Sequence, residues 1–123
     1  MLKSSLPRNQ FRAIKPQKII QKADSLLSNE DKWSKEDDRE CEDDIVNERY
    51  SLYCALYKAS IEITGEYIHR RPAMQIVRFT LEKYDVTRVK HHRLMDWNNH
   101  PDTTFLEVKE VLSESINEIK NQL

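Results

Sequence analysis

The chain has 123 residues, a length typical of one domain, and its 20 basic and 21 acidic residues leave a formal net charge of −1. Its single glycine, Gly65, excludes the glycine-rich loops that bind dinucleotides or nucleoside triphosphates and disfavours a fold built from β-hairpins. No apolar run approaches the roughly 20 residues of a membrane helix, and no secretory signal is recognisable. We therefore predict a cytoplasmic protein with no membrane association and with reduced cysteines.

The amino-terminal segment is basic and carries no acidic residue before Asp24. We predict an extended basic arm over residues 1–15 and a helical domain over 16–123, because Pro16 suits the first turn of a helix. Apolar residues then recur at helical spacing and predict a first helix near 16–28, with these residues on its buried face: Ile19, Ile20, Ala23, Leu26 and Leu27.

The next segment, "SNEDKWSKEDDRECEDD", is too polar for a core, and Trp33 is its one large apolar anchor. Within it, the acidic loop (residues 36–44) is predicted to be solvated and to offer a docking surface to a basic protein. It lacks the glycine and the terminal glutamate spacing of a calcium-binding EF-hand loop. The candidate protein-binding residues here are Glu36, Asp37, Asp38, Glu40, Glu42, Asp43 and Asp44.

The most apolar stretch, "IVNERYSLYCALYKASIEIT" over residues 45–64, predicts a central helix that ends at Gly65, a residue suited to a left-handed C-cap. Cys54 lies on this helix and is expected to be a small core residue, whereas Cys41 lies among acids that suppress a reactive thiolate. Pro72 is predicted to open a third helix, which places four residues on one face: Met74, Val77, Leu81 and Tyr84.

Basic residues cluster in the second half of the chain, within "HRRP" and "TRVKHHR". If they converge on one face they could contact phosphates, so a nucleic-acid-binding module using residues 1–22 and 69–93 is the alternative function. The segment "YDVTRVKHHRLMDW" itself is ambiguous between loop, short strand and helical turn. The candidate nucleic-acid-binding residues are Arg70, Arg71, Arg88, Lys90 and Arg93.

The stretch "MDWNN" at 95–99 combines turn residues with an aromatic ring. It is either a structural turn, with the Trp97 indole bonded to a backbone carbonyl, or a polar pocket in a protein-binding surface. A metal site of His92, Asp96 and His100 would need one continuous helix, which Pro101 and the polar turn disfavour, so we predict no metal and no cofactor. The candidate protein-binding residues here are Asp96, Trp97, Asn98 and Asn99.

The last segment is the clearest helix of the sequence, since its apolar residues are spaced by three and four. Thr104 and Glu107 fit a capping box at its start. The apolar seam could close the core of a monomer or join two copies, which leaves monomer and homodimer open. The seam consists of Phe105, Val108, Leu112, Ile116, Ile119 and Leu123.

Together these segments predict an all-α protein, a compact single domain of about four helices with bundle-like or orthogonal packing. The low glycine content agrees with this fold class, because the tight turns of β-hairpins need glycine for positive φ angles. No Ser-His-Asp order or paired carboxylates stand out, so we predict that the protein is not an enzyme.

A resemblance appears in the order of Trp33, "SLYCALYKA", "WNN" and "TTFLEVKEVL". This order resembles a family of short uncharacterised bacterial and phage proteins with a tryptophan loop, a Cys/Gly-Ala-Leu helix, a Trp-Asn-Asp turn and a closing helix. The resemblance covers roughly residues 17–120. Ser51, Cys54 and Asn99 stand where that family prefers cysteine, glycine and aspartate, which implies that a catalytic or metal site at these positions is not kept here.

The function that we predict from these features is binding of another protein through charged surfaces. The phage members of the resembling family imply a more specific role, a phage-encoded modulator or inhibitor of a host protein. In that role a charged face would cover a complementary patch on the partner.

Overall fold

A computed structural model describes residues 8–84 and 86–121, with side chains from residue 15 onward. This part of the chain contains six α-helices and two single 3₁₀ turns, Glu30–Lys32 and Val86–Arg88, with no strand beyond an isolated bridge. The predicted all-α class is confirmed. The helices are α1 (Arg8–Leu26), α2 (Glu42–Asn47), α3 (Leu52–Thr64), α4 (Pro72–Leu81), α5 (Arg93–Asn99) and α6 (Phe105–Asn121).

The core lies among the four longer helices. α1 packs mainly against α3 and α6, and α6 also packs against α4. Apolar side chains from all four helices are completely buried, which removes them from water and supplies most of the stabilisation of such a domain. The apolar seam of α6 packs within the protein's own core, because Val108, Leu112 and Ile119 are buried there.

The first helix is longer than predicted. It begins at Arg8 and contains Pro16 in its interior, so residues 8–15 are helical and do not form an extended arm. Proline keeps a φ angle compatible with a helix, so the helix can continue through it at the cost of one backbone hydrogen bond and a steric clash with the preceding turn. Residues 1–7 of the predicted arm lie outside the described residues.

The predicted central helix over 45–64 is wrong in its first third. α2 ends at Asn47, because Glu48 adopts a left-handed φ of 53°. Tyr50 then pairs with Trp33 in a parallel bridge, and α3 starts anew with Ser51 as its N-cap, where the hydroxyl accepts from the Cys54 N–H at 3.0 Å. The polar cap stops α3 from extending backwards.

The remaining helix ends follow the sequence. Gly65 closes α3 with a φ of 88°, and Pro72 is the first residue of α4. At the start of α6, Thr104 N–H donates to Glu107 Oε1 at 2.9 Å and Glu107 N–H donates to Thr104 Oγ1 at 3.2 Å, which is the predicted capping box. The ambiguous segment before residue 99 forms a 3₁₀ turn and then α5.

Candidate functional site

A disulfide ties the acidic loop to the core. Cys41 and Cys54 are bonded, their Cα atoms lie 5.4 Å apart, and both residues are buried. The prediction of reduced thiols is therefore wrong. The bridge to Tyr50 and the N-cap at Ser51 turn the chain back, which brings the loop cysteine beside the first turn of α3.

Asn98 lies at the centre of a buried polar network at the base of this loop. Its Oδ1 accepts from the Trp33 indole N–H at 2.7 Å and from the Leu52 backbone N–H at 3.0 Å. Its Nδ2 donates to the Ser34 carbonyl at 2.8 Å. One fully buried amide therefore joins α5, the start of α3 and the start of the loop.

Asn99 continues the network one residue further along the loop. Its Oδ1 accepts from the Asp37 N–H at 2.8 Å, and its Nδ2 donates to the Asp37 carbonyl at 2.8 Å. The side chain thus satisfies both backbone groups of Asp37, as a neighbouring strand would do. The "WNN" stretch fixes the position of the acidic loop.

Three of the predicted protein-binding residues are buried, so the prediction is wrong for them. Trp97 and Asn98 have no exposed surface and Asp37 is buried, so these side chains cannot touch a partner. Trp97 packs edge-on against Tyr84, with ring centroids 5.7 Å apart, and its indole N–H has no hydrogen-bond partner among the described residues. The bonded indole is that of Trp33.

Asp96 acts as a local anchor. Its Oδ2 accepts from the backbone N–H groups of Lys90, His91 and His92 at 2.9, 2.7 and 3.1 Å. Partial burial raises the pKa of this carboxyl, but these three donors outweigh it and hold the pKa below its usual value. The carboxylate therefore orders the segment that leads into α5.

The alternative metal site is not assembled. His92 and His100 cap opposite ends of α5, and Asp96 Oδ2 is occupied by backbone donors. Across residues 15–84 and 86–121, no group of three histidine, cysteine, aspartate or glutamate side chains could hold a metal ion.

Five of the predicted acidic residues converge on one open groove of about 270 Å³, which we call the acidic groove. Asp44 is its most buried carboxylate: Oδ2 accepts from the Ser51 N–H at 2.9 Å, and burial together with Asp38 and Asp43 raises the pKa. Glu42 is exposed outside the groove. The groove is lined by Ser34, Glu36, Asp38, Glu40, Asp43, Asp44, Asn47 and Arg49.

The predicted nucleic-acid-binding residues are divided between separate places. Arg88 is paired with Glu107 at 3.1 Å, and Arg71 lies 3.9 Å from Glu66. Lys90 is exposed, and Arg70 and Arg93 alone share a depression. The set does not form one continuous basic face.

Sequence reasoning missed a second cavity of about 180 Å³, which we call the cationic pocket. Arg78 was the available signal, because it stands between Val77 and Leu81 on the apolar face of α4 and an arginine there is unusual. Arg39 and His69 gave no signal, since only the fold brings them to α4 and α5. The pocket is lined by Arg39, Tyr53, His69, Arg78, His91, His92, Arg93, Leu94 and Met95.

Comparison with known proteins identifies one matching family. No curated protein and no solved structure matches the chain. No helix within the described residues is both long and apolar enough to cross a membrane. Residues 12–118 match the family of unknown function DUF6197, close to the span of the resemblance seen in the sequence. Because this match covers most of the 123 residues, the chain belongs to the family of unknown function DUF6197.

Proposed function

We propose that the protein acts by binding rather than by catalysis, and that its acidic groove receives a basic segment of another protein. The supporting observation is the convergence of five carboxylates, those of Glu36, Asp38, Glu40, Asp43 and Asp44. Within the described part of the chain, no ion pair joins any of them to a lysine or arginine. Arg49 is the basic residue in the lining, so the five carboxylates outnumber it and the groove keeps an excess of negative charge. An excess of one sign of charge in a concave surface attracts a ligand of the opposite sign.

The groove is built on an ordered frame. The Cys41–Cys54 bond holds one end of the loop, and Asn99 holds Asp37 at the other. Backbone N–H groups of the loop also bond to nearby side chains, as Glu40 does to Asp38 at 2.9 Å. A loop ordered before binding loses less conformational entropy when the partner arrives.

The partner chemistry follows from this charge. A segment rich in lysine or arginine places its cations among the carboxylates, and these exposed charges set the association rate and its salt sensitivity. The resemblance to bacterial and phage proteins leads us to propose that the partner is a host protein, which the chain modulates by covering a basic patch.

The side chains that could have acted as catalytic groups are already engaged in other bonds, which supports binding over catalysis. Both cysteines are bonded to each other, and Asp96 accepts three backbone hydrogen bonds. The alternative nucleic-acid function stays a prediction, and the division of its basic residues favours the acidic groove as the main surface.

The test is titration of the protein with a fluorescent lysine- and arginine-rich peptide, followed by anisotropy. The variant Asp38→Asn with Asp43→Asn removes two charges from the groove. We expect the affinity to fall about fivefold, because an exposed ion pair contributes about 0.5 kcal/mol.

The matched control is Asp31→Asn with Asp102→Asn, which removes two exposed charges outside the groove. It should leave the affinity nearly unchanged. Equal losses in both variants would show that the peptide responds to net charge alone and would overturn the proposal. The absence of saturable peptide binding at low salt would do the same.

A further inference from the structure

The cationic pocket brings positive side chains from three parts of the chain to one cavity. α4 contributes Arg78, α5 contributes Arg93, and the acidic loop contributes Arg39, while His69 and His92 complete the polar wall. Tyr53, Leu94 and Met95 supply its apolar side. A cavity of about 180 Å³ is large enough for a small anion and part of the group that carries it.

Arg78 is a buried cation in the lining of the pocket. It is 7% exposed, and no carboxylate in the described part of the chain lies within ion-pair distance of it. Its Nη1 donates to the His69 carbonyl at 2.9 Å, and its Nη2 lies 3.1 and 3.3 Å from the two ring nitrogens of His69. A buried charge normally has an anionic partner, because desolvation without one is costly.

Arg39 enters the pocket through an unusual backbone conformation. Its φ is 65°, in the left-handed region, and Asp37 Oδ1 holds it there by accepting the Arg39 N–H at 2.8 Å. Asp38 and Glu40 on either side line the acidic groove, while the guanidinium of Arg39 lies 3.2 and 3.3 Å from the ring nitrogens of His92. Strain of this kind in a non-glycine residue is often kept for function.

The histidine between these arginines does not compensate their charge. Burial lowers the pKa of His69, and the positive charges of Arg78, Arg39 and Arg70 lower it further. The Tyr67 hydroxyl lies 2.8 Å from its Nδ1 and orients the ring. Glu82 is the carboxylate paired with a pocket arginine in the described residues, and it binds Arg93 at 2.8 Å.

We propose that the cationic pocket is a binding site for a phosphate group, either inorganic phosphate or the terminal phosphate of a small monoester. Guanidinium groups from three separate segments can direct N–H donors at one tetrahedral anion, and arginine suits phosphate because its planar fork binds two oxygens. A dianion balances more of the local charge than a carboxylate does.

The shape of the site favours a terminal phosphate over the backbone of a nucleic acid. Arg78 lines the cavity and exposes little of its surface to solvent. A phosphate at the end of a molecule can enter to reach it, whereas a backbone phosphate is flanked by sugars on both sides. The apolar wall of Leu94 and Met95 can contact the group that carries the phosphate.

The experiment is isothermal titration calorimetry with three probes: inorganic phosphate, phenyl phosphate, and a short single-stranded oligonucleotide with no terminal phosphate. Chloride keeps the ionic strength equal throughout. We expect saturable binding of one or both phosphates and weaker binding of the oligonucleotide. Tighter binding of phenyl phosphate would assign the site to a monoester, and equal or weaker binding would assign it to the free anion.

Variants connect the binding to the pocket. Arg39→Gln and Arg78→Met should each weaken phosphate binding about tenfold or more, as expected for loss of one charge-assisted contact. Lys120→Gln is the control, because Lys120 is an exposed cation on α6 that lines neither the cationic pocket nor the acidic groove. Arg39 is also exposed, so Arg39→Gln keeps the test decisive if Arg78→Met fails to fold.

Three outcomes would overturn the proposal. The first is an absence of saturable binding by both phosphate probes, and the second is phosphate binding that Arg39→Gln leaves intact. The third is oligonucleotide binding as tight as phenyl phosphate binding and equally sensitive to Arg39→Gln, which would assign the pocket to nucleic acid.

Discussion

The acidic groove and the cationic pocket share one loop but hold their charges in opposite ways. Asp38 and Glu40 line the groove as exposed carboxylates, while Arg39 between them lines a pocket that also contains the buried Arg78. Exposed charges attract a partner over a distance and tolerate many geometries. A buried charge without a counter-ion favours a ligand of defined size. In our proposals, the groove is therefore a broad surface for a macromolecule and the pocket is a narrow site for a small anion.

The two sites share the buried hydrogen-bond network of Asn98 that positions the loop, and we expect the largest effect from disrupting it. Asn98→Ala removes the acceptor of the Trp33 indole and the Leu52 N–H and leaves the Ser34 carbonyl without its donor. Each orphaned buried group costs about 1–3 kcal/mol, so we expect the free energy of unfolding to fall by about 4 kcal/mol. Urea denaturation followed by circular dichroism measures it.

Asn117→Ala is the control for this change, since Asn117 is exposed on α6 and should tolerate alanine. If Asn98→Ala folds, peptide binding and phosphate binding should weaken together, because both sites depend on the position of the loop. A loss confined to one of them would show that the two sites do not share this frame.

Reduction of the disulfide tests the other end of the frame. The Cys41–Cys54 bond closes a loop with a sequence separation of 13, for which the loss of unfolded-state entropy corresponds to about 3 kcal/mol. We expect a reducing agent to lower the free energy of unfolding by about this amount. The variant Cys41→Ala with Cys54→Ala should be insensitive to the reducing agent, and a wild-type protein equally insensitive to it would contradict the role of the bond.

A substitution at Asp96 should separate the two sites, because it affects the start of α5. Asp96→Asn removes the charge that accepts three backbone N–H groups before α5, the helix that carries Arg93. We expect a loss of about 2 kcal/mol near neutral pH, as for other hydrogen bonds to a charged group, and weaker phosphate binding with peptide binding unchanged. Equal weakening of both ligands would show that the effect of the change is not confined to the start of α5 and also reaches Asn98 and Asn99 at its end.

The pH dependence of this variant has a definite sign. Because the pKa of Asp96 is lower in the folded than in the unfolded protein, its stabilising effect is complete above the unfolded pKa. That effect is lost as the pH falls through the folded pKa. The difference in unfolding free energy between wild type and Asp96→Asn should therefore shrink towards acid, and a constant difference would contradict the assignment.

The sequence predicts the helices better than the sites. Apolar spacing determines α6 and the buried face of α4, because a helix must bury one face whatever its neighbours are. The split at Ser51 was missed because capping competes with an uninterrupted apolar pattern. Arg39 and Arg78 are 39 residues apart, and only the packed core brings them to one cavity. The sequence indicates an acidic loop because its acidic residues are neighbours in the chain, whereas the groove that five of them line is visible only in the fold.

The smallest effect concerns Asp37, whose titration should run opposite to that of Asp96. Burial raises the pKa of this carboxyl, against the lowering effect of the Arg39 N–H and the Ser51 hydroxyl. The folded protein therefore binds this proton more tightly than the unfolded chain, so stability falls as the pH rises from the unfolded pKa through the folded pKa. Asp37→Asn should remove this fall, so its free energy of unfolding relative to wild type should be higher at about pH 7 than at about pH 3.

Asp31→Asn is the control for Asp37→Asn, because Asp31 is exposed. Urea denaturation at both pH values measures the free energy of unfolding of each variant and of the wild type. Opposite signs for Asp37→Asn and Asp96→Asn would show that burial dominates at Asp37 and hydrogen bonding dominates at Asp96. A separate question is whether the pocket needs the hydrogen bond by which Asp37 holds Arg39 in its left-handed conformation. Phosphate binding by Asp37→Asn and Asp37→Ala tests the need for this hydrogen bond, because the side-chain amide of asparagine can still accept the Arg39 N–H. Binding retained in Asp37→Asn but lost in Asp37→Ala would show that the pocket needs the hydrogen bond and not the charge.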